Sequence, residues 1–376
     1  MNWTVTEDDL DDIAIGAGIL GTGGGGNPYR GKLLARRHLR EGGRMTVVPL
    51  ADLPDDALGV SVGGMGAPVI GIERIIRGDE ALTALRRLEQ RLGRAVTHVV
   101  PGEVGGSNST IPLVVSAQSG LPVVDADGMG RAFPELQQTT FFIEGAPPSP
   151  AAIADYRHST LLFDDLPDAK SLERIARAAT VAMGGAASFA FAPMSGAQMR
   201  RMAIPGTLSL ARRVGAAVRE ARRVHANPVT AACAATGGQE IFRGKVTDVQ
   251  RRLVAGFARG ELLLDGSGDS RGSALRIAFQ NENLIAWRDG EVAATAPDLI
   301  CLVDELTAEP VTTEIVRYGL RVAVLGIPAP PLLRTERALA VVGPRGFSYD
   351  VEYRPLPGVY GGAEAQAAVH GSTPHR

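Results

Sequence analysis

Apolar positions recur at helical spacing from the start of the chain: Leu10, Ile13, Ala14, Ala17 and Leu20 form one stripe. Thr6 followed by Glu7, Asp8 and Asp9 supplies an N-cap and an acidic first turn, which the helix dipole favours. The helix stops in GTGGGGNPY, residues 21–29, and a second is expected over 31–40. Strands are expected over 45–49 and 57–63, the latter running into GGMGAPV. A helix over 79–91 follows, with Leu82, Leu85, Leu88 and Leu92 on one face and Arg and Glu opposite. Next comes an apolar run at 96–100, a glycine loop carrying Glu103, and a helix of small and apolar residues over 109–119. A second apolar run at 121–124 leads into a loop carrying Asp125 and Asp127. Strand, acidic loop, helix, strand, acidic loop is the order of a βαβ unit. A right-handed crossover puts both loops on one edge of a parallel sheet, where open α/β sheets bind ligands. The alternation continues through residues 131–144.

Prolines then cluster, Pro147, Pro148, Pro150 and Pro167, among small and acidic residues, and mark a boundary. Helices are expected over 171–183 and 206–224, around an apolar strand at 186–191. Beyond residue 238 the pattern changes to short strands divided by turns such as SGDSRG, RDGE and LTAEP, the signature of a barrel or sandwich. The expected architecture is therefore α/β plus β. Residues 1–165 form a three-layer α/β domain with a mainly parallel sheet. Residues 166–360 form a second domain, helical at first and then mainly β, and 361–376 a disordered tail.

With 376 residues the chain is long for a single core, which fits two domains. A net charge of −2 from 39 basic and 41 acidic residues gives no electrostatic reason to expect nucleic acid or an anionic membrane. No apolar run reaches the roughly 18 residues of a membrane span, and the acidic N-terminus is unlike a signal peptide, so a cytoplasmic location is expected. Cys233 and Cys301 lie in apolar contexts without metal or redox spacing and read as buried thiols.

Several motifs bear on chemistry. GAGILG, residues 16–21, matches a dinucleotide fingerprint but sits inside a helix with no strand before it, so it binds no nucleotide. The DADG of residues 125–128 resembles a calcium loop, but Leu136 stands where the bidentate Glu belongs. The glycines 23–26 before a helix start, with Gly24, Gly25 and Asn27 foremost, expose amides able to hold an anion or a carbonyl. Glu103, Gly105 and Asn108 occupy the first acidic loop, and Asp125, Asp127 and Arg131 the second. Glycines there let backbone approach a flat small ligand, and carboxylates suit a general base. Asp125 and Asp127 also read as helix caps. Gln280, Asn281, Glu282 and Asn283 interrupt a strand pattern, either as a hairpin turn or as the second domain's contribution to the site. His98 reads as a structural histidine rather than a base.

GTGGGGNPY, PGEVGGSN, VVDADGMGRAFPELQ, FRGKVTDVQRRLVAGFARG, IAFQNENLIAW, PDLICLVD and YGLRVAV together resemble the S-methyl thiohydantoin desulfurase family, from about residue 8 to 355. The resemblance implies an N-terminal α/β domain, a mainly β C-terminal domain and association with hydantoinase/oxoprolinase-type proteins. It also implies replacement of a methylthio group on a five-membered ring by oxygen. The resemblance itself assigns no catalytic residues, so roles follow from chemistry. Asp125 or Asp127 is expected to activate water. Glycine-loop amides with Asn108 or Asn281 hold the ring, and Glu103 or Glu282 protonates a ring nitrogen. No cofactor is expected. A divalent metal held by Glu103, Asp125 and Asp127 ranks second. The competing readings are hydrolysis of another cyclic amide, and a non-catalytic, ligand-binding subunit of a hydantoinase complex. A homo-oligomer is the other partner considered.

Overall fold

The computed structural model describes residues 2–66, 77–254 and 257–362. The first half runs β1 (Trp3–Thr4), α1 (Glu7–Leu20), α2 (Pro28–Arg40), β2 (Thr46–Pro49), β3 (Leu58–Gly66), α3 (Glu80–Leu92) and β4 (His98–Pro101). It continues through α4 (Ile111–Ser119), β5 (Val123–Asp127), α5 (Thr140–Ile143), β6 (Ala151–Ala154) and β7 (Thr160–Phe163). Then follow α6 (Ala169–Ala182), β8 (Ala186–Ser195), α7 (Gly196–Met202), β9 (Ile204–Pro205), α8 (Thr207–Arg223) and α9 (Pro228–Thr236). The remainder is β10 (Gln239–Val254), β11 (Phe257–Gly266), β12 (Ala274–Gln280), β13 (Glu282–Arg288), β14 (Glu291–Thr295), β15 (Leu299–Asp304), β16 (Arg321–Ile327) and α10 (Glu336–Val342).

Among the described residues the first sheet has nine strands in the order β1-β2-β5-β4-β3-β8-β6-β7, with β9 beside β5. Its centre, β2-β5-β4-β3, is parallel, as the βαβ reading requires. The flanking strands β1, β8, β6 and β7 pair antiparallel, so the sheet is mixed. Leu85, Leu88 and Leu113 from α3 and α4 cover one face, and Leu172 and Ala176 from α6 cover the other. That makes three layers.

Two sequence expectations change. The sheet does not end near residue 165: β8 inserts between β3 and β6, and the proline-rich stretch itself supplies the β6–β7 hairpin. Residues 131–144 hold only a 3-10 turn, Leu136–Gln138, and the four-residue α5, because their polar groups are spent tying loops together. The expected tail lies outside the described residues from 363 onward.

The second sheet is antiparallel, seven strands in the order β14-β13-β12-β11-β10-β16-β15, curled into a half-barrel around Phe242, Leu262, Ile277 and Val324. The halves join through a core that mixes Ala17, Leu20, Ala211 and Val214 of α1 and α8 with Cys301, Val303 and Leu325 of β15 and β16. The glycines of GAGILG belong here. A Cβ on Gly16 would lie 1.8 Å from the Ala211 carbonyl oxygen, so Gly16 lets α1 and α8 cross closely. The N-cap expected at Thr6 is present and is one half of a capping box, with the Asp9 amide donating to Thr6 Oγ1 at 3.2 Å and the Thr6 amide to Asp9 Oδ2 at 2.8 Å.

Candidate active site

The loops after β4 and β5 leave the same sheet edge and are tied together. Gly128 N–H donates to the Gly102 carbonyl at 3.1 Å. Asp127 receives the amides of Val104 at 2.7 Å, Met129 at 3.2 Å and Gly130 at 2.9 Å. Its carboxylate, fully buried, is the pin between the two loops. Burial pushes it up to about 7, against the lowering effect of those amides. Asp125 faces α8: it accepts from the Ser209 amide at 3.0 Å and the Ser209 hydroxyl at 2.5 Å. Gly206, at the N-cap position, has no side chain to cap α8, and Asp125 supplies the acceptor from outside the helix. Neither aspartate lines the cleft described next. Among the described residues no group of three His, Cys, Asp or Glu side chains converges as a metal site, so Glu103, Asp125 and Asp127 do not form the expected ligand set.

The cleft, about 280 Å³, opens above the carboxyl end of β3. Gly64, Met65 and Gly66 line it from β3, with Ile111, Phe133, Leu136 and Phe189 as apolar walls. Four segments deliver its polar groups. Glu103 comes from the β4 loop, Asn108 from the following turn, Gly25 and Asn27 from the glycine loop, and Glu282 from the start of β13. Glu103 Oε1 accepts from Asn108 Nδ2 at 2.6 Å, and Oε2 from the Phe133 amide at 3.3 Å. Asn108 is itself oriented, because its Oδ1 takes the Gly64 amide at 2.7 Å, leaving the NH2 toward Glu103.

Glu282, 2% exposed, accepts from the Gly25 amide at 3.3 Å through Oε1, while Oε2 has no hydrogen-bond partner among the described residues. Burial raises Glu103 to about 8, with the Asp127 charge adding to the rise. Burial raises Glu282 well above the carboxylate range, and the charge of Glu103 raises it further. Two acids that feel each other in an apolar cleft hold a proton at neutral pH.

The glycine loop fits only because it lacks side chains. A Cβ on Gly24 would fall 2.0 Å from Glu282 Oε1, and Gly25 (φ +72) would drive one into the Gly105 carbonyl at 2.6 Å. Gly24 and Gly105 thus shape the site without lining it. Asn27 caps α2 through the Tyr29 amide at 2.9 Å. The hairpin carrying Glu282 docks on this loop, Asn283 N–H donating to the Thr22 carbonyl, and Thr313 from the segment between β15 and β16 adds its N–H to the Gly23 carbonyl, both at 2.8 Å. Asn281 turns the hairpin with φ +58, and its side chain accepts the Ala258 amide at 2.9 Å. The segment is a turn, and its Asn281 and Glu282 line the cleft. Gln280 lies outside the cleft, as does His98, whose ring contacts Thr97 Oγ1 at 2.8 Å. Arg131 is fully buried outside the cleft lining. Sequence reading did not single out Phe189 or Phe133, which look like ordinary core aromatics without knowledge of β8's position.

The fold and site define a two-sheet protein whose halves each contribute one acid to a shared apolar cleft. The description S-Me-THD-like, N-terminal domain, matches residues 8–165, and S-Me-THD-like, C-terminal domain, matches 167–356, so the chain belongs to this family. A crystal structure of a protein from Chromobacterium violaceum superposes with a TM-score of 0.77 at 26% identity, covering 94% of this chain and 100% of that one. No curated protein matches the chain.

Proposed function

We propose that the cleft hydrolyses an S-methyl thiohydantoin to the hydantoin and methanethiol, with Glu103 as general base and Glu282 as general acid. The observation that carries this reading is the pair itself: two buried, interacting carboxyl groups from opposite sheets face one apolar cleft. The family's S-Me-THD-like character supports the substrate class. A flat five-membered ring suits walls of Phe133, Phe189 and Ile111 and a floor of glycine backbone.

The ring carbon between two nitrogens carries the S-methyl group. Glu103, once ionised, takes a proton from water as the oxygen bonds to that carbon. Glu282, protonated, donates from its unpartnered oxygen to the ring nitrogen of the C=N bond. The tetrahedral carbon then collapses: the C–S bond breaks, the carbonyl forms, and the proton held by Glu103 leaves with the thiolate as methanethiol. As the carbonyl forms, the hydroxyl proton of the tetrahedral carbon passes to Glu282, while the ring nitrogen keeps the proton it received as the N–H of hydantoin. Both glutamates are then back in their starting states. The base role expected of Asp125 or Asp127 passes to Glu103, because both aspartates spend their oxygens on backbone amides and Ser209.

The test is thiol release from an S-methyl thiohydantoin by the purified protein, with and without chelator. Release that is lost in Glu103→Gln and Glu282→Gln, with the fold retained, supports the hydrolase. No release from the wild type, with ordinary hydantoins also untouched, moves the reading to a ligand-binding subunit of a hydantoinase-type complex.

A further inference from the structure

Among the described residues Arg131 is the largest fully buried side chain. It makes five hydrogen bonds among them, all to neutral oxygens. Nε donates to the Ala132 carbonyl at 3.0 Å. Nη1 donates to the carbonyls of Pro297 at 3.2 Å and Asp298 at 2.8 Å. Nη2 donates to Thr22 Oγ1 at 2.9 Å and the Asn283 carbonyl at 3.0 Å. The Phe133 ring covers it at 4.5 Å. Among the described residues no carboxylate pairs with it directly. A buried cation without an anion is costly, so its charge must be balanced nearby.

The groups around it narrow the choice. Asp298 contributes only its backbone, and its carboxylate is engaged by the Ala329 and Leu356 amides, by Tyr353 and by Arg334 at 3.4 Å. The Cys301 thiol is pushed up to about 12 by burial and stays neutral. Asp127 is held by three backbone amides, and Tyr360 beyond it is raised by burial and donates to the Gly130 carbonyl. Glu314 is close enough for its charge to raise Glu282 further and carries no hydrogen bond to Arg131. That leaves the cleft pair, which Arg131 adjoins on both sides: it holds the Asn283 carbonyl, one residue from Glu282, and the Ala132 carbonyl, one residue from Phe133, whose amide donates to Glu103.

We propose that Arg131 is a positioning residue for the pair: its buried guanidinium supplies the counter-charge that lets Glu103 and Glu282 give up one of their two protons. This rests on the hydrolase reading, in which one acid must ionise while the other keeps its proton. Arginine suits the position because its planar fork stays charged while reaching the glycine loop, the hairpin and residues 297–298 at once.

The experiment follows the carboxyl infrared band of the free full-length protein against pH, assigned with Glu103→Gln and Glu282→Gln. It compares wild type, Arg131→Lys and Arg131→Gln, and measures the pH profile of thiol release alongside. In Arg131→Gln the pair should lose its first proton at a pH higher by about one unit or more, while Arg131→Lys titrates near the wild type. A folded Arg131→Gln that titrates at the wild-type position overturns the proposal and leaves Arg131 a hydrogen-bond clamp. Should Arg131→Gln fail to fold, R131Q/E103Q/E282Q decides: charge and counter-charge leave together, so it should fold, and its failure also overturns the proposal. A titration that moves as expected in a protein releasing no thiol sinks the hydrolase reading alone.

Discussion

Glu103 and Asp127 are both enclosed carboxylates on adjoining loops, yet their oxygens are used differently. Asp127 is saturated by backbone amides, whereas Glu103 keeps a face on the cleft and is raised to about 8. In the proposed mechanism its ionised form is the base, so kcat/KM should rise as pH passes through about 8 and fall where Glu282 finally ionises. A profile flat across that range would remove Glu103 from the mechanism. Replacing either glutamate by glutamine should lower turnover by about 10²–10⁴-fold, measured as thiol release, with an unchanged circular dichroism spectrum. Asp125→Ala should instead cost stability, about 1–2 kcal/mol for a lost helix cap, with turnover kept. Asp127→Ala should cost more, about 3 kcal/mol, by stranding buried amides. Denaturant unfolding separates the two. Glu103, Asn108 and Glu282 were legible from sequence as polar residues set among glycine or interrupting a strand. What local sequence did not reveal is which acid faces the cleft, because the amides that occupy Asp127 come from a different loop.

The glycine loop, the two acidic loops and the β12–β13 hairpin meet without a helix or strand running through them. Gly24 is where they approach most closely, its missing Cβ leaving room for Glu282. Gly24→Ala should displace that carboxylate and cut turnover at least as far as Glu282→Gln does. Gly42→Ala (φ +89), which would meet nothing within 4 Å, controls for backbone strain alone. Equal activity in the two variants would show the Gly24 contact to be slack. The βαβ unit was readable because its periodicity is local. The absence of a regular helix over 131–144 was not, since Glu135 and Gln138 form a box around a short turn and Glu173 of α6 takes the Leu136 amide at 3.0 Å. Those partners lie in loops and in a helix that periodicity does not connect.

Across the molecule, the match boundary near residue 166 and the sheet boundary do not coincide. β8 pairs with β3 through eight residue pairs from Leu58 to Gly66, so a fragment of residues 1–165 would leave that edge bare. Such a fragment should be insoluble or molten, with near-ultraviolet dichroism lost, while the full chain unfolds in one transition. A folded fragment 1–165 would show β8 to be dispensable. No helix among the described residues is long and apolar enough to cross a membrane. The mainly β character of the C-terminal part was plain from strand and turn spacing. The return of β8 to the first sheet was not, because pairing between distant strands leaves little mark on either alone.

The proposed base and acid, Glu103 and Glu282, stand far apart in the chain, one on the loop after β4 and the other at the start of β13. A ribosome that has made the first has made one wall of the cleft and none of its acid–base chemistry. A truncated or half-denatured molecule therefore does not become a slower or less selective catalyst; it is silent. In the proposed reaction the thiol, a reactive product, would be released only by chains whose synthesis and folding are complete.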